Sequence, residues 1–482
     1  MRRLLSVGIV VALSACDTPT VPNYASPNPD VTTRTGLQTL VTGLFGGTRN
    51  DLVWVITEMA SFARDAGNFT NTDPRFITEF LGDGTPVGNS DFGVFGWNNQ
   101  FQMVRTADSI LAALPGVKSP TAYSAGERAQ ISGIVLTIKA LNYMYLAEQR
   151  DTSGVPIGGD KLNDLGTPAP ILCNKDVWTA IVAILDSGNA ALTVDPSDPL
   201  AISLPAGFSA VSATAASFAA FNRALAGKAN LELAYAIARS SAGTAPTPTS
   251  AGSPDHNALV RADSAIAASA LYQPSALTTP AAGPFSDPLA VYHTFSGTSG
   301  DIVNPVNGEI GTLRMMREFT ASVDTANDQR WKAKFVKNNA GEEQQGYASV
   351  SDSFIVAFYP SVSSPIPIVR NEELVLVRAQ IRLGLGDLPG AWTLINDVRT
   401  QVGGLPPEAA STDYSATRDA LMREQRISTV LESSSDRAIA IRMYGLAAVA
   451  DTTWGSNDTH ATLMPVPITE LSGRPSSTPS CP

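Results

Sequence analysis

Side chains that bind metals or attack substrates are scarce in this chain of 482 residues, which has three histidines and three cysteines. His256, His293 and His460 are far apart and are expected in loops. No Cys-x-x-Cys occurs, so no transition-metal site is legible and no cofactor is expected. Basic residues are also short. Lysine plus arginine number 33 against 44 aspartates and glutamates, a net charge of −11. No surplus of cations exists to neutralise phosphates, so nucleic acid is excluded as the main partner. Charged residues make up only 16% while 44% are hydrophobic, which is too apolar for a disordered chain. Beyond the first fifteen residues no apolar run approaches the roughly 18 needed to span a bilayer, so a polytopic membrane protein is excluded. Catalytic signatures are missing too. There is no G-x-S-x-G elbow, and Gly82-Asp83-Gly84-Thr85-Pro86-Val87-Gly88 has the wrong spacing for a phosphate loop. Asp151 to Asp160 lacks the oxygens of a calcium hand. No catalytic residue is assigned, and the chain reads as a non-enzyme.

What is present begins at the N-terminus. Arg2 and Arg3 precede an apolar stretch, Leu4 to Leu13, and Leu13-Ser14-Ala15-Cys16 closes it. This is the layout of a secretory signal over residues 1–15. The cysteine directly after the small residues resembles the bacterial lipobox, which implies acylation of Cys16 and a membrane anchor made of lipid. Residues 16–35 are rich in Pro, Thr, Ser and Asn and read as a lipidated tether, able to reach about 60 Å when extended. Asp17 follows the cysteine, and in some bacteria an aspartate there retains lipoproteins at the inner membrane. An exported chain can oxidise Cys173 and Cys481 to a disulfide, but the sequence alone leaves that pairing open.

Residues 36–482 form the body, and helical periodicity dominates it. Trp97, Phe101, Val104, Asp108 and Leu111 recur at steps of four and three, as do Ile131, Ile134, Val135, Ile138, Leu141 and Tyr145. Val177 to Leu192 and Phe221 to Tyr235 repeat the pattern. Such spacing gives each helix one apolar face. Asn371 to Gln401 reads as a helical hairpin broken at Gly384-Leu385-Gly386-Asp387. Ala379 and Ala391 allow close approach there, as in a tetratricopeptide unit. Similar pairs can be drawn over residues 131–192 and 217–270, without a strict 34-residue period. The expected fold is mainly α: tetratricopeptide-like stacked helix pairs with long irregular loops and a few short strands. The strands are expected within 281–309 and 338–369.

Taken in order, these segments resemble the SusD/RagB family of nutrient-binding outer-membrane lipoproteins. Leu37 to Gly46 resembles the opening helix of that family. Trp97 to Leu114 resembles its W-x-x-x-Y…A-N helix, with Phe101 and Asp108 in the tyrosine and asparagine places. Leu141-Asn142-Tyr143-Met144-Tyr145-Leu146, followed by Gly154-Val155-Pro156-Ile157, resembles the helix that ends in Y-G-D-V-P-L. Glu372 to Arg399 resembles the R-x-A-E…I-N-x-V-R hairpin. Glu424-Gln425-Arg426, Asp436-Arg437 and Arg442-Met443-Tyr444-Gly445 resemble its E-R-R…R-W-G stretch, and Pro465-Val466-Pro467-Ile468-Thr469-Glu470 its closing P-I-P-x-x-E. Asp328-Gln329-Arg330 departs from the usual D-P-R. Glu424, Arg426, Arg437 and Arg442 are read as structural, forming buried or half-buried ion pairs.

The resemblance implies a lipid-anchored protein of the outer membrane that faces outward. It would capture a nutrient, first of all an oligosaccharide, and deliver it to a SusC-like TonB-dependent barrel transporter. The resemblance also implies that the ligand face comes from inserted loops, here about 60–100 and 281–370. Neutral glycans are gripped by rings against C–H faces and by planar polar groups against hydroxyls. Candidate residues are Phe69 with Asn68, Asn71 and Arg75; Asp91, Phe92, Phe95 and Asn98; Tyr292, His293 and Phe295; and Tyr347. Trp97, Trp331, Trp392 and Trp454 are assigned to the core. Two other readings stay open: a helical-repeat scaffold for protein partners, and a secreted lipid-anchored hydrolase.

Overall fold

The computed structural model describes residues 30–69, 73–90, 92–117, 122–158, 168–242, 253–278, 287–298, 300–337, 351–432, 436–446, 461–474 and 481. Cys16, Asp17, nearly all of the tether, Asn71, Asp91, Tyr347, Trp454 and His460 lie outside these residues.

The apolar stripes become long helices. In chain order these are α1 (Arg34–Gly47), α2 (Leu52–Phe62), α3 (Asn98–Ala113), α4 (Ala125–Arg150), α5 (Asn174–Leu192), α6 (Ala215–Ala242) and α7 (His256–Ala268). Short helices α8 (Pro305–Glu309), α9 (Arg317–Ser322) and α10 (Gln329–Lys334) follow. Then come α11 (Asn371–Leu385), α12 (Leu388–Gln401), α13 (Tyr414–Thr429), α14 (Asp436–Met443) and the short α15 (Ile468–Ser472). Polar caps mark the starts. Ser124 and Glu127 form a reciprocal capping box at α4, while Asp255, Asp387 and Asp413 each accept a backbone N–H at α7, α12 and α13. Gly386, at φ 84°, closes α11 in a conformation that β-carbons disfavour, so the hairpin turns where the sequence predicts.

Each long helix packs on the next: α3 on α4, α4 on α5, α5 on α6, α6 on α7, and α7 on α11 of the α11–α12 hairpin. This is the expected stack. The approach of α4 to α5 depends on Gly133, because a β-carbon there would lie 2.7 Å from the Gly188 carbonyl oxygen. Several helices lie outside the stripes picked out by periodicity, α2, α13 and α14 among them. In α2 nearly every residue is buried, so it has no polar face to reveal its period.

Strands are short and come in pairs. β1 (Ala66–Asn68) pairs antiparallel with β5 (Leu313–Met315), and β2 (Val155–Pro156) with β3 (Ile171–Leu172). β4 (Val291–His293) pairs with β8 (Ile366–Val369), and β6 (Phe335–Lys337) with β7 (Phe354–Val356). The β1–β5 and β4–β8 pairs tie inserted segments of the first third and the middle to one another and to the helices.

The charged set predicted as structural is structural. Arg330 bonds Asp328 at 2.7 Å and Glu424 at 2.6 Å, and Arg399 reaches the same Glu424 at 2.9 Å. Arg370 bonds Glu372 and Glu432, each at 2.8 Å, and Lys334 shares Glu432 at 2.7 Å. Arg426 pairs with Asp65, and Arg442 lies 3.9 Å from Asp151. Most of these groups are buried, and their mutual pairing compensates for the lost hydration. Trp97, Trp331 and Trp392 lie in the core as assigned. Cys173 and Cys481 form a disulfide, which settles the pairing the sequence left open. No helix among the described residues is long and apolar enough to cross a membrane.

Candidate functional site

Helix α1, the 203–208 turn and the segment leaving β4 enclose a cleft of about 490 Å³. That volume falls within the roughly 300–1,000 Å³ of ordinary ligand pockets. The amphipathic pattern of α1 explains one wall. Leu37, Val41 and Leu44 point into the core, which leaves Gln38 and Thr42 on the cleft side, and Arg49 follows just past the end of the helix. Gln38 locks the opposite wall through two amide bonds, donating to the Ser203 carbonyl at 3.0 Å and accepting from the Ser203 N–H at 2.9 Å.

The third wall carries Tyr292, His293 and Phe295, which the sequence had grouped. Tyr292 is half-buried, and its hydroxyl donates to the Asp287 carbonyl at 3.3 Å. Phe295 is mostly covered and lies beneath the Arg49 guanidinium, 5.5 Å from its ring centre. Arg49 also donates to the Thr294 carbonyl and pairs with Asp301 at 2.6 Å, which fixes the turn between them. Arg49 and Ser296 bonded to its carboxylate hold Asp301 down to about 2. His293 is not in a loop, as the sequence suggested, but in β4 and buried. Its Nε2 lies 2.9 Å from the Tyr145 hydroxyl. Burial, with Arg49 nearby, pushes its pKa down to about 3, so the ring stays neutral. Among the described residues, Arg49 and Asp301 are the only charged pair lining the cleft, and they neutralise each other. The cleft therefore offers rings, amides and hydroxyls with no net charge.

The first-third candidates gather elsewhere. Phe92 and Phe95 meet Trp54 of α2, Phe76 and Phe80 in one aromatic cluster. Trp54 and Phe95 stack at 4.0 Å and 7°, and Phe80 lies 4.6 Å from Phe92. Arg75 covers Phe92 at 4.5 Å and pairs with Asp73 at 2.7 Å. Trp54, Phe76, Phe95 and Arg75 keep partial exposure, so this cluster has an outer surface. Phe92, at 4% exposure, supports that surface from beneath. Phe69 is a correction: it is fully buried at the end of β1, where packing between β1 and Leu81 removes it from any ligand. Asn98 joins neither group. It is exposed at the first residue of α3 and faces a separate groove.

Gln38, Arg49, Asp301 and Trp54 were missed by sequence reasoning. Arg49 and Asp301 are 252 positions apart, and no local pattern announces such a pair.

No family model matches the chain, and no curated protein matches it. Solved structures do. A SusD superfamily protein from Bacteroides thetaiotaomicron matches 93% of this chain and 100% of its own, with TM-score 0.65 at 14% identity. A second, from Bacteroides vulgatus, matches 93% and 99% with TM-score 0.62 at 13% identity. Surface glycan-binding protein A from Bacteroides thetaiotaomicron, solved with laminarihexaose, matches 91% and 97% with TM-score 0.62 at 13% identity. Helix stack and paired short strands together give this chain the SusD-like fold.

Proposed function

We propose that this protein binds a neutral oligosaccharide in the cleft between α1 and β4. On this reading it is a lipid-anchored protein of the outer membrane, held outside the cell through Cys16, and hands its cargo to a TonB-dependent barrel transporter. The observation that carries the reading is the lining of the cleft. Tyr292 lines the cleft half-buried and Phe295 backs it with its ring mostly covered, the hydroxyls of Thr42 and Ser203 are uncharged polar groups, and Arg49 is already neutralised by Asp301. Rings match the C–H faces of a pyranose and polar groups match its hydroxyls. An ionic ligand would have to break the Arg49–Asp301 pair to find a partner. The aromatic surface of Trp54, Phe76 and Phe95, flanked by Arg75, is a further contact region for the same cargo. The SusD-like fold and a structural neighbour solved with a glucan hexasaccharide support the choice of glycan.

Titration calorimetry with oligosaccharides of β-1,3-glucan, starch, xylan and mannan tests the binding. One of them should bind wild-type protein and bind Tyr292→Ala much more weakly. Absence of binding to all four classes overturns the carbohydrate reading. Detergent extraction of outer membranes tests the delivery step: a large barrel transporter should accompany the tagged full chain, and its consistent absence rejects the handover.

A further inference from the structure

Sharing no lining residue with the α1–β4 cleft, a groove of about 230 Å³ opens between α3, the β2–β3 pair and the C-terminal segment. Its floor is aromatic. Phe101 is half-buried, with its ring 4.9 Å from Trp97 and 6.2 Å from Tyr143. Pro156 and Pro168 also line the groove. Polar groups stand at the rim, among them the exposed amide of Asn98 and the Glu470–Arg474 pair of the C-terminal segment. Asp108 also lines the groove, but Lys139 neutralises it at 2.6 Å.

One wall of the groove is a strap. Residues 461–474 run across the body. The Met464 N–H donates to the Gln149 carbonyl and the Ile468 N–H to the Asn89 carbonyl, each at 2.8 Å. Arg474 donates to the Ala169 carbonyl, and the Cys481–Cys173 disulfide pins the end of the chain beside α5. The wall that carries Glu470 and Arg474 is thus fastened at several points and is not a loose tail.

We infer that this groove is a second carbohydrate subsite, which takes one neutral pyranose ring on the face of Phe101 with its hydroxyls toward Asn98, Glu470 and Arg474. The inference rests on the carbohydrate reading of the protein. The groove shares the character of the α1–β4 cleft in its ring surface, an amide and the closed Glu470–Arg474 and Asp108–Lys139 pairs, and the exposed Arg105 lines it as well. Its volume is below the roughly 300 Å³ of a drug-sized pocket, which limits it to a single ring. Two subsites on one body would let a polymer hold on by one when the other lets go, raising apparent affinity without new contacts.

Calorimetry and competition with the best-binding oligosaccharide from the four classes above, on the full chain, test this. Wild type should show a strong and a weak phase. Asn98→Ala combined with Phe101→Leu should weaken the weak phase at least about tenfold and leave the strong one unchanged. Phe101→Leu keeps an apolar side chain of somewhat smaller volume but removes the flat face, so loss of the weak phase in a folded variant reports the ring itself. Tyr292→Ala should do the reverse, weakening only the strong phase. A single phase abolished by Tyr292→Ala and untouched by the α3 variants overturns the subsite while leaving the carbohydrate reading intact. No binding by any oligosaccharide removes that reading, and the subsite with it.

Discussion

Arg426 of α13 holds Asp65 at 2.6 Å although 361 residues separate them, and both side chains are at most 3% exposed. The same guanidinium donates to the Arg64 carbonyl at 2.7 Å, and Arg437 approaches Asp65 at 3.7 Å. This contact fastens the turn between α2 and β1 to the C-terminal helices. Asp65→Ala leaves buried guanidinium without its carboxylate. Breaking such a pair costs roughly 3–5 kcal/mol. Urea unfolding should show a loss of that size, whereas removing the part-exposed Arg34–Glu127 pair (2.8 Å) should cost at most about 1 kcal/mol. Equal losses for the two would refute the assignment of Arg426–Asp65 as a core contact.

Tyr292 gives the binding prediction. It is half-buried on the cleft wall, and β4 holds its backbone by pairing with β8. Truncation to alanine therefore removes a contact face and leaves the strand in place. Binding of the oligosaccharide should fall about tenfold or more, in line with loss of a well-packed aromatic anchor. The melting temperature should fall as well, because the ring is half-buried and its hydroxyl bonds the Asp287 carbonyl, so affinity is compared below the transition of the variant. Unchanged affinity in a folded variant would remove Tyr292 from the site.

The pH response follows from buried carboxyls, with Glu58, Glu148 and Glu232 all pushed up by burial. Burial raises Glu148 to about 7 and Glu232 to about 8. Lys228 and Arg442 pull Glu148 down while Glu373 pushes it up. Around Glu232, Arg442 and Arg239 oppose Glu148 and Asp151. Between the unfolded carboxyl value and these raised values, the native state holds more protons than the unfolded one. The contribution of these carboxyls to stability therefore falls as pH rises from about 4.5 to about 8, and His293 offsets part of that fall below about 6.5. Glu232→Gln should flatten that slope in denaturant titrations at pH 5, 7 and 9. His293 works in the opposite sense. Its pKa is lowered to about 3, so the unfolded state takes up more protons as pH falls from about 6.5 to 3, and stability drops in acid. A Glu232→Gln protein with an unaltered alkaline slope would contradict the account of that carboxyl.

Cys173–Cys481 closes a loop across a sequence separation of 308. A disulfide of this kind stabilises by about 2–4 kcal/mol, chiefly by restricting the unfolded chain. Reductant should lower the melting temperature of wild type and leave that of Cys481→Ser where it is. Protease should then cut earliest in the C-terminal strap. If reductant moves both proteins equally, the shift does not come from this bridge.

Much of the architecture could be read from local periodicity. Trp97, Phe101, Val104 and Leu111 announce α3, and the Gly386 break announces the α11–α12 hairpin, because a helix sorts polar from apolar every 3.6 residues whatever surrounds it. α2 escaped because it is buried on nearly all sides. The candidate site was half legible. Tyr292 and Phe295 were picked as rings in a loop-rich segment and do share a cleft, but Phe69 was picked on the same grounds and is sealed in the core. A phenylalanine has the same composition whether covered or open.

The sequence by itself determined the helix faces, their order, the charged set that the core demands to be paired, and the net charge of −11. Only the tertiary structure decided which carboxylate each arginine meets, that Arg49 reaches Asp301, that Cys173 meets Cys481, and which rings stay open. The division has one physical cause. Periodicity and capping act over a few residues and are written locally. Exposure, ion pairing and cleft shape depend on packing between segments hundreds of residues apart, which no short window of sequence contains.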